Sequence, residues 1–377
     1  MRIAFYAPMK PPDHPIPSGD RRMARLLMAA LATAGHEVFL ADDFRGYDGT
    51  GQPAHQRALA QEGGRTARRL SATLDRAAHR PELWFTYHLY HKAPDWLGPE
   101  VAARLRIPYA VAEASFAPKQ AGGPWDLGHR AAARAIAAAD AVFCLTRLDM
   151  ACVRPLLAAP DRLHYLPPFM DTESFEIPAT ARRQARRRLA ETHDLDSAPP
   201  WLVAVAMMRP GDKLESYRRL GAALARVDSG DWRLLVVGDG DAREAVRAAL
   251  APLGERVAYA GELVPEGLPE IYAACDICVW PAANEAYGVA LLEAEAAGLP
   301  VVAGDGQGIA DVVLDGETGL LTRDGDTDAF AGAVSTLLAD TALRHRLGDQ
   351  ARTMVRRERG LAATARRLDR VLQGLAG

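Results

Sequence analysis

Two glutamates eight positions apart, Glu285 and Glu293, flank a Tyr287-Gly288-Val289 step. They follow an apolar run, Ile277-Cys278-Val279-Trp280-Pro281, that reads as a buried strand closed by proline. A strand thus feeds a loop and then a helix, whose buried stripe is marked by Val289, Leu292 and Ala296. Glu285 falls in the loop or first helical turn, and Glu293 about two turns on. With helix throughout, the rise between them is about 12 Å, too far for the two carboxyl groups to share a proton. They bracket a ligand instead. The free N–H groups of the helix entrance attract an anion, and the carboxyl end of a strand is where open α/β sheets bind ligands.

Other reactive side chains follow strand ends in the first half of the chain. Leu83-Trp84-Phe85-Thr86-Tyr87 runs into His88, His91 and Lys92, and the apolar run 107–112 leads to Glu113, Ser115 and Lys119. In a parallel sheet these loops share one rim. Trp84, Tyr87, Tyr90, Trp96 and Trp125 either line a sugar or lipid pocket there or fill the core. Cys275 and Cys278 have the spacing of a redox or zinc pair. No second pair accompanies them and they straddle the start of an apolar strand, so they read as packing.

The elements that hold these residues alternate between strand and helix. Residues 2–7 form a strand pattern, followed by a proline-rich loop over 10–20 that is long for a strand-to-helix connection. Met23, Leu26, Leu27, Ala30 and Leu31 repeat at helical spacing up to Gly35, with Ser18 or Asp20 as the cap, and 36–41 is the second strand. This doubly wound opening lacks a dinucleotide fingerprint, since Gly19 stands alone. A polar region over 46–80 holds a helix or two, with Arg65, Arg68, Arg69, Arg76 and Arg80 as a solvated face. Further strands fall at 83–87, 107–112, 141–145 and 164–171. A helix containing Arg182, Arg183, Arg186, Arg187 and Arg188 leads to a Pro199-Pro200 break, after which the alternation restarts. Strands at 201–206, 232–237, 257–260, 277–281, 301–303 and 319–321 build a second doubly wound domain, and the chain from 326 onward is helical.

A chain of 377 residues accommodates two such α/β domains. Its composition, 49% hydrophobic and 25% charged, excludes wholesale disorder. The net charge of −3 favours no particular partner, and no nucleic-acid partner is expected. Four cysteines are too few for a disulfide framework. No stretch approaches the roughly 20 apolar residues that span a bilayer, and no signal peptide precedes the first strand pattern. A cytoplasmic location is expected, with the arginines at 65–80 and 182–188 available for peripheral contact with anionic lipid at the inner face.

Several motifs in fixed order then resemble the retaining glycosyltransferases of family 4. They are Met208-Arg209-Pro210-Gly211-Asp212-Lys213, Val237-Gly238-Asp239-Gly240-Asp241, Tyr259-Ala260-Gly261-Glu262 and the Glu285 to Glu293 spacing. Gly308-Ile309-Ala310-Asp311-Val312-Val313 and Asp315-Gly316-Glu317-Thr318-Gly319 complete the series. The resemblance implies an α/β protein of GT-B fold, with two facing Rossmann-like doubly wound domains and an interdomain cleft. An N-terminal acceptor-side domain would cover 1–170, a nucleotide-sugar-binding domain would cover 171–355, and 356–377 would pack back on the first. Residues 167–175 would be the hinge.

What the resemblance implies for chemistry is transfer of a hexosyl unit, with retention, from a nucleotide sugar to a hydroxyl acceptor such as a glycan, lipid or small metabolite. A UDP-sugar is the donor expected first. Arg209 and Lys213 would stabilise the leaving diphosphate. Glu285 would hold the donor sugar and support charge at the anomeric carbon, while Glu293 would accept the ribose hydroxyls. Backbone N–H groups of Tyr287, Gly288 and Val289, with Gly19 opposite, would face the diphosphate. The sequence departs from the family in having Ser18-Gly19 where two glycines are frequent, and Glu113-Ala114-Ser115 where a histidine often contacts the donor sugar. His88 or His91 would fill that space, and Glu113 or Lys119 would touch the acceptor. Without an Asp-any-Asp motif, neither a metal nor a cofactor besides the donor is expected. Competing readings are a catalytically silent nucleotide-sugar-binding protein and an epimerase or inverting transferase of the same fold.

Overall fold

The computed structural model describes residues 1–375 except 17, 79, 229 and 307. Pro17 of the proline-rich loop, His79 of the arginine-rich region and residues 376–377 of the returning segment lie outside the described residues. The chain divides into two compact units, Met1–Pro167 with Leu361–Gly377, and Pro168–Gly360. The expected boundary after 170 therefore falls after 167, and the returning segment starts at 361 rather than 356. Backbone pairing sets this limit. Met170 N donates to Arg359 O at 2.9 Å, and Met170 and Gly360 form a parallel bridge, which ties both crossings to the second unit.

The first unit is built on β1 Arg2–Tyr6, β2 Glu37–Leu40, β3 Leu83–Leu89, β4 Tyr109–Ala114, β5 Ala141–Cys144 and β6 Leu163–Tyr165. They pair in parallel in the order β2-β1-β3-β4-β5-β6. A parallel sheet is covered on both faces, so its strands are apolar almost throughout. Trp84 and Tyr87 accordingly belong to the core rather than to a pocket lining. Thr86 and Tyr109 also point inward, and both donate to Asp95 Oδ2, at 2.6 and 2.8 Å. The other oxygen of that buried carboxylate accepts from the backbone of Leu97 and Gly98, anchoring helix Gly98–Leu105. Residues 46–80 contain one long helix, Pro53–Asp75. Its arginine face is laced with ion pairs, Arg65 to Glu62, Arg69 to Asp42 and, from the segment beyond, Arg80 to Asp75.

The second unit carries β7 Trp201–Val205, β8 Arg233–Val237, β9 Val257–Gly261, β10 Ile277–Trp280, β11 Val301–Asp305 and β12 Gly319–Arg323. Their order is β12-β11-β10-β7-β8-β9, again parallel. The chain winds outward from β7 to β9, then returns to the other side of β7 with β10, which creates a topological switch point between β7 and β10. Helix Ala179–His193 is locked onto this unit by its arginines. Arg182 donates to the carbonyls of Ile177 and Ala297, Arg186 binds Asp276 at 2.8 Å and stacks on Trp201, and Arg188 pairs with Glu270. Among the described residues no helix is long and apolar enough to cross a membrane.

Candidate functional site

The switch point of the second unit gathers the chemistry. Arg209 stands exposed in the loop after β7, and Gly211 (φ 86°) leads from it into helix Asp212–Leu224. The loop after β10 is sewn onto the first turns of that helix. Asn284 Nδ2 donates to Asp212 Oδ2 at 2.9 Å, Ala283 N to Ser216 Oγ at 3.0 Å, and Lys213 Nζ to Glu285 Oε2. The Lys213 and Glu285 side chains are 28% and 19% exposed, so the ion pair meets solvent at one side. Trp280 Nε1 donates to the same Glu285 oxygen at 3.4 Å. Ala282 (φ 56°) and Asn284 (φ 50°) both adopt left-handed backbone, a strain that concentrates at functional loops.

Helix Val289–Ala297 begins after Gly288, so of the two places the sequence allowed for Glu285, loop or first helical turn, it occupies the loop. Gly288 precedes it at φ 67°, and a Cβ there would come within 3.1 Å of Leu291. Tyr287 is half-buried beside it. Glu293 sits within this helix, only 2% exposed, with Tyr272 OH donating to Oε2 at 3.3 Å and to Ala290 O at 3.0 Å. Glu295 is fully buried, accepts from Thr318 Oγ1 at 2.5 Å, and has its second oxygen unpartnered. Burial pushes the Glu295 carboxyl up to about 8, against the Thr318 bond and the Arg359 charge.

The first unit has its own switch point, between β1 and β3, and a second cluster occupies it. Gly19 opens helix Gly19–Thr33, where a Cβ would meet open space, and Ser18 caps the helix by accepting from Arg21 N at 3.2 Å. Asp20 is therefore released from capping and binds His88 Nδ1 at 2.9 Å. His88 (φ 57°) and Glu113 (φ 58°) are both left-handed, on neighbouring strands. Burial pushes the His88 imidazole down, but Glu113, Asp20 and Asp149 outweigh it and hold it above its usual value. Burial pushes the Glu113 carboxyl up, helped by Asp20 and Asp149 and opposed by His88 and a bond from Tyr87; Oε2 has no partner. His91 meets Trp125 edge-on at 6.0 Å and lies apart from this hydrogen-bond set. Lys119 is exposed on the 3-10 turn Pro118–Gln120.

The structure thus joins Lys213 with Glu285, and His88 with Asp20 and Glu113. Sequence reasoning missed three contributors. Trp280 was hidden by its apolar strand, Tyr272 by its helix, and Asp20 by its capping position. Only the polar end of each side chain marked it as more than packing.

The match to known proteins follows these elements. Residues 199–340, which span β7 to the helix after β12, match the family described as Glycosyl transferases group 1. The D-inositol 3-phosphate glycosyltransferase of Xylanimonas cellulosilytica is 30% identical over 310 residues, covering 78% of this chain and 73% of that protein. The GDP-mannose-dependent alpha-(1-6)-phosphatidylinositol monomannoside mannosyltransferase of Mycolicibacterium smegmatis is 31% identical over 211 residues, 54% of each chain. In fold, Anabaena HepE, solved in complex with UDP, superposes with a TM-score of 0.74 at 18% identity, with each chain fully covered. The chain belongs to this family of glycosyltransferases, and its fold is GT-B.

Proposed function

We propose that the protein transfers a hexosyl unit from a nucleotide sugar, a UDP-sugar first, to a hydroxyl acceptor with retention at the anomeric carbon. The observation that carries this reading is the Lys213–Glu285 pair at the β7/β10 switch point, beside exposed Arg209. Arg209 and Lys213 bind the diphosphate and neutralise the charge that builds on it as the glycosyl–oxygen bond breaks. Backbone N–H groups from Tyr287 to Val289 face the phosphates. Glu285 holds sugar hydroxyls and stabilises positive charge at the anomeric carbon, without acting as a nucleophile. Glu293 takes the ribose hydroxyls, which requires its buried carboxylate to turn from Tyr272. The departing phosphate oxygen takes the acceptor proton as the new bond forms on the same face. His88, His91, Glu113 and Lys119 serve the acceptor or donor sugar. Arg209 and Lys213 supply the positive charge, so the reaction proceeds without a metal.

The relatives differ in the donors and acceptors their names record, so the donor is the first thing to test. In a thermal-shift screen of UDP-, GDP- and ADP-sugars, one class raises the melting temperature and is then consumed with release of its nucleoside diphosphate. No stabilisation by any of them would sink the donor-site reading. Stabilisation without turnover would favour a silent nucleotide-sugar-binding protein. The Asp20–His88 pair favours a second reading, since a carboxylate-held imidazole can act as base toward an acceptor hydroxyl. That chemistry inverts the anomeric carbon, and NMR of the product's anomeric proton distinguishes the two.

A further inference from the structure

A buried indole N–H is usually given an acceptor, and where it finds one the partner bears on what the tryptophan is for. In the second unit, Trp201 Nε1 donates to a local carbonyl, Asp196 O, at 2.8 Å, and Trp232 Nε1 has no partner. Trp280 differs from both. It is 4% exposed at the end of β10, yet its N–H reaches the carboxylate of Glu285, five residues on and outside the strand. Its ring lies 5.6 Å from Lys213 Nζ, within cation–π range. Tyr217 meets the ring edge-on at 5.0 Å and donates its hydroxyl to Ala206 O at 2.8 Å, the carbonyl that leads from β7 toward Arg209. Burial raises the Tyr217 hydroxyl well above its usual pKa, so it stays a donor.

An aliphatic side chain at this position would be equally apolar but smaller than the indole that Tyr217 packs against. It would offer neither a donor to a carboxylate nor a π face to an ammonium. An ion pair that meets solvent at one side, between two side chains free to turn about several bonds, does not by itself fix one geometry. We propose that Trp280 is a positioning residue for glycosyl transfer, its N–H fixing the Glu285 carboxylate and its ring steadying the Lys213 ammonium. The two charged groups are then aligned before a donor arrives. This inference rests on the donor-site reading of Glu285 and Lys213 given above.

The test compares wild-type protein with Trp280→Phe, which keeps the ring and removes the N–H, and Trp280→Leu, which removes both. Trp232→Phe is the control for losing a buried indole elsewhere in the unit. Affinities for UDP, GDP and ADP are measured by calorimetry. Hydrolysis of UDP-glucose, GDP-mannose and ADP-glucose supplies kcat and KM, and melting temperature supplies the structural readout. Since a misplacement of about 1 Å can cost up to about 100-fold in rate, Trp280→Phe is expected to lose about tenfold in kcat at unchanged KM and nucleotide affinity. Trp280→Leu is expected to lose about tenfold in nucleoside diphosphate affinity as well, because the ammonium loses its π surface. Trp232→Phe keeps the wild-type kcat. A wild-type kcat in Trp280→Phe, or an equal loss in Trp232→Phe, overturns the positioning role. Absence of nucleotide binding to the wild-type protein removes the donor-site reading, and the role of Trp280 with it.

Discussion

Glu285 carries a negative charge at the mouth of a site proposed to take a diphosphate, where it is paired with Lys213. Replacing Glu285 by Gln keeps the shape and deletes the charge that would face the anomeric carbon. Turnover is expected to fall by about 100- to 1000-fold, the scale of losing one preorganised electrostatic group, with the melting temperature little changed. Single-turnover kinetics with the identified donor checks this. At the other cluster, pH is the probe. The bond to His88 holds the Asp20 carboxyl below its usual range, and His88 is held above its own. The pair's stabilisation is lost as pH falls through the lowered Asp20 pKa, and lost again as pH rises through the raised His88 pKa. Asp20→Asn is therefore expected to shift the His88 midpoint downward in an NMR titration of the imidazole. An unmoved midpoint would assign the raised value to Glu113 and Asp149 alone. Residue types were legible here, but partners were not. His88 and Glu113 could be picked as rim residues, whereas Asp20 reads from the sequence only as one of two candidate caps, and the structure gives that role to Ser18.

The strands and helices were the most legible level, because a strand covered on both faces is a run of apolar residues and needs no partner to be seen. What resisted was irregular backbone. The region 46–80 offered too little periodicity to tell one helix from two, and the start of helix Val289–Ala297 depended on a left-handed Gly288 that apolar spacing does not report. The loops after β7 and β8 show how tightly such backbone is constrained. Gly238 sits at φ 136°, where a Cβ would lie 2.0 Å from Ala206 O. Gly238→Ala is expected to destabilise the second unit by about 1–3 kcal/mol from backbone strain alone, and more once the clash is relieved by moving β7. Urea denaturation checks it. A neutral result would mean that the loops after β7 and β8 are free to separate.

Across the whole chain, the segment after Gly360 belongs to the first unit although it comes last in sequence. Helix Leu361–Leu375 packs on helix Gly19–Thr33, with Leu368 and Leu372 fully buried and Asp369 3.3 Å from His36 Nε2. Leu372→Ala is expected to cost about 2–5 kcal/mol, the range for emptying a buried leucine site. Hydrogen exchange should then show lost protection in helix Gly19–Thr33 and not in the second unit's sheet. Loss of protection in the second unit instead would contradict the assignment of this helix.

The sequence by itself determined the α/β class, the two doubly wound halves and the family, because apolar runs and ordered glycine-acid motifs are local features. The tertiary structure alone decided which side chains meet. Lys213 and Glu285 are 72 residues apart, and Asp20 and His88 are 68 apart. Each pair converges because strand order places β7 beside β10 and β1 beside β3, with their carboxyl ends on one rim. Strand order is set by packing over the whole sheet, and no window of the sequence contains it.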